Sequence, residues 1–150
     1  ISRRALESFM GVPGRLELIW EAKGIKVYND TTATTPEATL AALDALNDGF
    51  TKSIILIMGG TDKNLDMSAL VAKLSEVKKV ILLAGNGTNR IRNELPKGMI
   101  YHTFSDAVAA AMDVAEPGDT VLFSPAFASF GMFKNEYDRG DQFNVIVQSL

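Results

Sequence analysis

The chain contains no cysteine and a single histidine. The first absence excludes disulfides, thiol nucleophiles and thiolate metal centres. The second argues against a histidine-based metal site and a Ser-His-Asp triad. His102 itself, on or just after a strand, reads as structural. No apolar run approaches the roughly 18 residues that a membrane helix needs, and no signal-peptide pattern is visible. The formal net charge is −3, so the basic footprint of a nucleic-acid binder is missing. Neither a membrane nor a nucleic acid is therefore expected as partner. Repeats, low-complexity stretches and linkers are also missing. The chain starts at Ile1 rather than methionine, as expected for a piece of a longer protein. A cysteine-free chain also suits the cytoplasm.

What is present is enough apolar material for one domain. The chain has 150 residues, 47% of them hydrophobic, which supports a full core. Short apolar runs alternate with helical patterns. The segment 14–22 alternates like a strand, and Lys23-Gly24 turns it into the run 25–28, forming a hairpin. Continuous apolar runs at 53–58, 80–84 and 120–123 read as strands covered on both faces. A shorter strand is expected at 99–102. Helices are expected at 2–10, from Pro36 towards Gly49, along Leu70, Val71, Leu74 and Val77, at 89–95, from a Ser105 cap to Ala115, and at the end of the chain along Phe143, Ile146, Val147 and Leu150. Pro96-Lys97-Gly98 breaks the fourth of these. This order implies an α/β domain over residues 1–150, Rossmann-like, with a mostly parallel sheet between helical layers and an N-terminal hairpin.

In such sheets ligands sit outside the carboxyl ends of the strands, and four turns leave those ends. The first, Asp30-Thr31-Thr32-Ala33-Thr34-Thr35, is crowded with hydroxyls and opens a helix. Thr35 suits the N-cap, Pro36 the first turn and Glu37 the positive end of the dipole. This geometry can hold a phosphate or carboxylate, and Asp30 and the threonines can equally do no more than cap the turn. The second, Gly59-Gly60-Thr61-Asp62-Lys63-Asn64, offers backbone amides and a lysine for an anion, or is an exposed loop with a solvated lysine. The third, Gly85-Asn86-Gly87-Thr88, reads as a plain turn. The fourth, from Ser124 to Asp138, embeds Ser124 and Ser129 among Phe127, Phe130 and Phe133. It either packs beneath a ligand or plugs the core. Arg139-Gly140-Asp141 reads as a turn capping the last helix, and Arg15 alone reads as a surface charge.

Taken together, these motifs fall in one order: Gly11-Val12-Pro13-Gly14-Arg15-Leu16-Glu17, Asn29 to Thr35, Gly59 to Lys63, Ser124 to Phe130, Phe133-Lys134-Asn135, and Arg139-Gly140-Asp141 before Phe143. The set resembles the C-terminal domain of the Mur ligases of bacterial cell-wall synthesis, over essentially the whole chain. Within that family the pattern is most similar to the branch that adds D-glutamate to UDP-N-acetylmuramoyl-L-alanine. The resemblance implies a three-domain, cytoplasmic ligase using ATP and magnesium, held mainly by a central domain that this chain lacks. It implies an acyl phosphate that the amine of the amino acid attacks. Arg15 and Asp30 would contact the nucleotide, and Thr34, Lys63 and Ser129 the D-glutamate carboxylates. Thr32, Phe133 and Glu136 are further candidates for the same site. The family often has lysine in place of Thr32, phenylalanine in place of Glu136 and aspartate in place of Gly131. A glutamate at 136 would repel a substrate carboxylate that it faced. Alternatives are another Mur or folylpolyglutamate-type ligase with a different amino acid, or a stand-alone nucleotide- or anion-binding module. No P-loop spacing occurs in the chain, so the 150 residues alone are expected to be inactive.

Overall fold

The backbone reverses at Lys23-Gly24, where both residues adopt positive φ (53° and 76°). Two such residues between paired strands match the twist of a tight hairpin. They join β1 (Glu17–Ala22) to β2 (Ile25–Asn29), which pair antiparallel. The structure is a computed structural model that describes residues 11–49, 51–95 and 99–150. The helix expected at 2–10 and the Pro96–Gly98 break lie outside them. β1 starts three residues later than expected, because Gly14 (φ 73°) and Leu16 (φ 42°) take left-handed conformations that no strand tolerates.

From β2 the chain enters α1 (Pro36–Leu46), β3 (Ile54–Met58), α2 (Ser68–Lys73), β4 (Lys79–Leu83), α3 (Asn86–Ile91), β5 (Ile100–Tyr101), α4 (Phe104–Val114), β6 (Thr120–Phe123) and α5 (Glu136–Gln148). The six strands lie in the order β1-β2-β6-β3-β4-β5, all parallel after β1. β6 is the last strand made, yet it inserts between β2 and β3, pairing Val27 with Val121 and Leu56 with Leu122. The loops after β2 and β3 are thereby brought to either side of the loop after β6.

Alternation along the strands builds two cores. Ile54, Leu56 and Met58 pack with Val80, Leu82 and Leu122 against α1, α2 and α3. Ile55, Ile57, Ile81, Leu83, Val121 and Phe123 point to the opposite face, against Phe104, Val108, Phe143 and Val147 of α4 and α5. All five residues of β3 are buried, which is why its sequence is apolar without a gap. The result is the Rossmann-like three-layer α/β sandwich read from the sequence.

Several local readings need correction. Thr103, not Ser105, caps α4, accepting from the Asp106 amide at 3.2 Å. α3 begins at Asn86, so residues 86–88 form its first turn rather than a plain loop. α5 begins at Glu136 with Asn135 as its cap, so Arg139-Gly140-Asp141 lies inside the helix. Leu70 and Leu74 share a buried face as expected, although the helix tightens into a 3-10 turn at Leu74–Glu76.

Candidate functional site

The carboxyl ends of β2, β3 and β6 carry the three loops richest in polar groups, and backbone hydrogen bonds tie these loops into one ledge. The Gly59 amide donates to Pro125 O at 3.0 Å, and Thr61 and Ala128 exchange backbone bonds at 2.9 and 3.2 Å. On the other side the Ala126 amide donates to Ala33 O at 2.9 Å, and the Asp30 amide to Phe123 O at 2.8 Å. The long apolar loop is therefore held on both sides. Ala126 adopts φ 63°, and Phe127 is buried against the α1–α3 core. Phe133 is half-buried on Phe104, with ring centroids 5.2 Å apart, whereas Phe130 stands exposed. Of the three phenylalanines, only Phe127 is a full plug.

The two glycines after β3 serve this packing. A Cβ on Gly60 would lie 2.5 Å from Ala128 O, and one on Gly85 would lie 2.2 Å from Gly60 O. The Gly59 and Gly60 amides are already engaged by Pro125 O and Thr88 Oγ1. The expectation that they approach a ligand gives way to close approach between loops.

Arg139 is the side chain that sequence reasoning missed. It is 1% exposed, and its guanidinium donates to Thr31 O at 2.8 Å, Thr31 Oγ1 at 3.2 Å and Phe127 O at 3.1 Å. It thus brackets the β2 loop to the β6 loop. Burial lowers its pKa to about 10, partly opposed by the charge of Glu136. Its signal in the sequence is its spacing: Arg139, Phe143 and Val147 recur every four residues on the buried face of α5.

The expected residues fall into three places. Arg15, Asp30 and Thr32 line one pocket of about 300 Å³, floored by Leu16 and four alanines. Asp30 is buried. Its Oδ1 accepts from the Leu16 amide at 3.0 Å and its Oδ2 from Ser124 Oγ at 2.8 Å. Burial raises its pKa, and the bonds from Ser124 and Leu16 and the charge of Arg15 work against that rise. Thr32 donates to Gly14 O at 2.9 Å, so its hydroxyl anchors the turn. In the second place, Lys63 Nζ donates to Thr34 Oγ1 at 3.4 Å across the two loops. Among the described residues Lys63 has no carboxylate partner. In the third, Ser129 and Phe133 line a cleft of about 710 Å³ with Asn86, exposed His102 and the edge of Arg139. His102 is thus a wall of the cleft rather than a packed core residue. Glu136 touches neither cleft. Its carbonyl accepts from Thr31 Oγ1 at 2.6 Å, and its carboxylate is half-buried within electrostatic reach of Arg139.

Chemically, the ledge offers the Lys63 ammonium, the hydroxyls of Thr34 and Ser129, and the exposed guanidinium of Arg15. These bind and orient anions. The one hydroxyl bonded to a carboxylate among the described residues of the ledge, Ser124 on Asp30, is fully buried, and among the described residues no three His, Cys, Asp or Glu side chains come together as a metal site.

Known proteins share this fold. The fold is that of a Thermotoga maritima UDP-N-acetylmuramate-alanine ligase (TM-score 0.68, 19% identity, 97% of this chain and 32% of that one). It is also that of Thermotoga maritima MurF ligase solved with ADP (TM-score 0.64, 18% identity, 99% of this chain and 34% of that one). In sequence, the chain is 44% identical to a UDP-N-acetylmuramoylalanine--D-glutamate ligase of Roseiflexus sp. over 156 aligned residues, covering 99% of this chain and 33% of that protein. The chain thus spans about a third of the length of this curated relative. Residues 14–127 match the family described as "Mur ligase, glutamate ligase domain", and the chain belongs to that family.

Proposed function

We propose that this chain is the single C-terminal domain of a cytoplasmic, ATP-dependent ligase that joins D-glutamate to UDP-N-acetylmuramoyl-L-alanine in peptidoglycan synthesis. The observation that carries this reading is Lys63 turned towards Thr34 at 3.4 Å, at the strand ends, with no carboxylate among the described residues paired to it. A lysine beside a hydroxyl is half of a carboxylate site, and an incoming acidic amino acid supplies the other half. The name of the Roseiflexus relative supports D-glutamate as that amino acid.

In this reading Lys63, Thr34 and Ser129 hold the carboxylates of D-glutamate, and Phe133 closes the apolar side of the cleft. Glu136, which lines neither cleft, is kept from repelling the substrate. Arg15 and Asp30 serve the nucleotide, with Thr32 holding the turn between them. The small pocket fits part of ATP: an alanine floor for an apolar edge, and an exposed guanidinium for phosphate oxygens. When bound, ATP supplies the phosphoryl group that activates the acceptor carboxylate. Among the described residues no three His, Cys, Asp or Glu side chains gather to hold magnesium, which in this reading is held mainly by the central domain. The domain's contribution is positioning and closure, with the acceptor precursor held by domains outside this chain.

The test uses the full-length parent enzyme. Lys63→Ala and Ser129→Ala should each raise KM for D-glutamate about tenfold or more, the loss of one charge-assisted bond. Arg15→Ala should instead raise KM for ATP. An unchanged D-glutamate KM in Lys63→Ala would contradict the assignment.

A further inference from the structure

The loop that carries Lys63 has little hold on the ledge. After Thr61 it leaves the β6 loop, and Asn64 takes a left-handed turn at φ 57°. Inside it a turn is closed by the Asn64 amide donating to Asp62 Oδ1 at 2.8 Å. Among the described residues, segment 62–65 bonds to the rest of the chain through three groups. One is Lys63 Nζ itself, on Thr34. The other two, Asn86 and Arg90, both belong to α3. Asn86 Oδ1 accepts from the Asp62 amide at 2.8 Å. Arg90 spans the loop: its Nε sits 3.0 Å from Asp62 Oδ2, and its Nη2 donates to Leu65 O at 2.7 Å. Asn86 and Arg90 stand four residues apart, on one face of the helix. Gly87 lets that face approach, since a Cβ there would lie 2.5 Å from the Phe127 ring.

We infer that Asn86 and Arg90 are positioning residues for the amino-acid site, a clamp from α3 that sets where Lys63 presents its charge. The inference rests on the role of Lys63 proposed above. The geometry gives Arg90 two tasks that only a fork of donors can combine. It ties the Asp62 side of the loop to the Leu65 side, so the backbone between them, Lys63 and Asn64, is held from both ends. Arginine reaches the two partners with two separate nitrogens, Nε and Nη2, whereas a lysine would have to serve both from one point charge. Lys63 has a long, flexible side chain, and fixing its backbone removes one source of freedom that substrate binding otherwise has to freeze. Arg90 is partly exposed and outside both cores, so replacing it leaves the fold's packing untouched.

The experiment is steady-state kinetics of the full-length parent enzyme with D-glutamate varied, comparing Arg90→Ala, Arg90→Lys, Asn86→Ala and Lys63→Ala. Arg90→Ala should raise KM for D-glutamate about fivefold, with kcat and KM for ATP within about twofold, as for lost uniform binding. Arg90→Lys should fall between the wild type and Arg90→Ala. Adding Arg90→Ala to Lys63→Ala should raise KM little further, since the clamp then has no charge to place. Amide exchange in residues 62–65 should quicken in Arg90→Ala and stay slow elsewhere. Two results would overturn the inference. If Lys63→Ala raises KM for D-glutamate and Arg90→Ala does not, the clamp is decorative and the proposed function survives. If Lys63→Ala leaves KM unmoved, there is no charge to position, and the site assignment falls with the clamp.

Discussion

Asp30 is a carboxylate that the fold removes from water and then surrounds with donors. Desolvation wins over the bonds from Ser124 and Leu16 and the charge of Arg15, so its pKa rises on folding. The sign follows directly. The native state holds the proton more tightly than the unfolded chain, so no penalty exists below the unfolded pKa. The penalty grows as pH climbs through the carboxylate range and is complete above the folded pKa. Asp30→Asn removes the titration while keeping an acceptor for the Leu16 amide. Relative to wild type, the variant should therefore gain stability as pH is raised from about 3 to 7. Urea unfolding of both proteins across that range checks this, and a difference independent of pH would count against it. Legibility at this scale was uneven. Asp30, Thr34 and Lys63 announced themselves as polar groups after strands. Arg139 did not, because its acceptors come from loops 12 and 108 residues away, and no local pattern reveals a buried guanidinium. Gly60 and Gly85 misled for a related reason. Gly60 is small because Ala128 O lies against it and Gly85 because Gly60 O does, contacts made only when β3 lies between β6 and β4.

At the scale of single elements, α1 states its own beginning. Thr35 stands in extended geometry and its hydroxyl accepts from the Ala38 amide at 3.2 Å, with Pro36 next and Glu37 in the first turn. Thr35→Ala should cost about 1 kcal/mol, the usual loss for an N-cap. For a domain of this size that is a drop of roughly 2–4 °C in Tm, readable by thermal circular dichroism. A shift within error would mean that Pro36 and the packing of Leu43 hold the helix start unaided. Buried strands were equally readable, since β3, β4 and β6 are apolar runs with both faces covered. Short elements were less so. α3 opens on Asn-Gly, a sequence that reads as a turn; tertiary bonds, Gly87 N to Gly60 O at 3.0 Å among them, make it helical instead. α4 took its cap at Thr103 because Phe104 has to enter the core beside Phe123, which places the helix start two residues earlier than a Ser105 cap allows.

Across the whole molecule, strand order explains why distant motifs share one ledge. β6 threads between β2 and β3, so Ser124–Phe133, Asp30–Thr35 and Gly59–Lys63 meet although they lie far apart in sequence. The sequence showed the parallel sheet but not this order, because insertion of the last strand is a tertiary choice among equally apolar neighbours. The ledge is built to hold anions, and the chain covers about a third of the curated relative it matches. In the proposed reading its chemistry belongs to a larger enzyme, and this domain selects and places the amino acid. The most direct measurement is phosphate release from ATP by the full-length parent, given UDP-N-acetylmuramoyl-L-alanine and each of a panel of amino acids in turn. The account predicts release that depends on D-glutamate. Release dependent on a different amino acid, or on none of the panel, would contradict it.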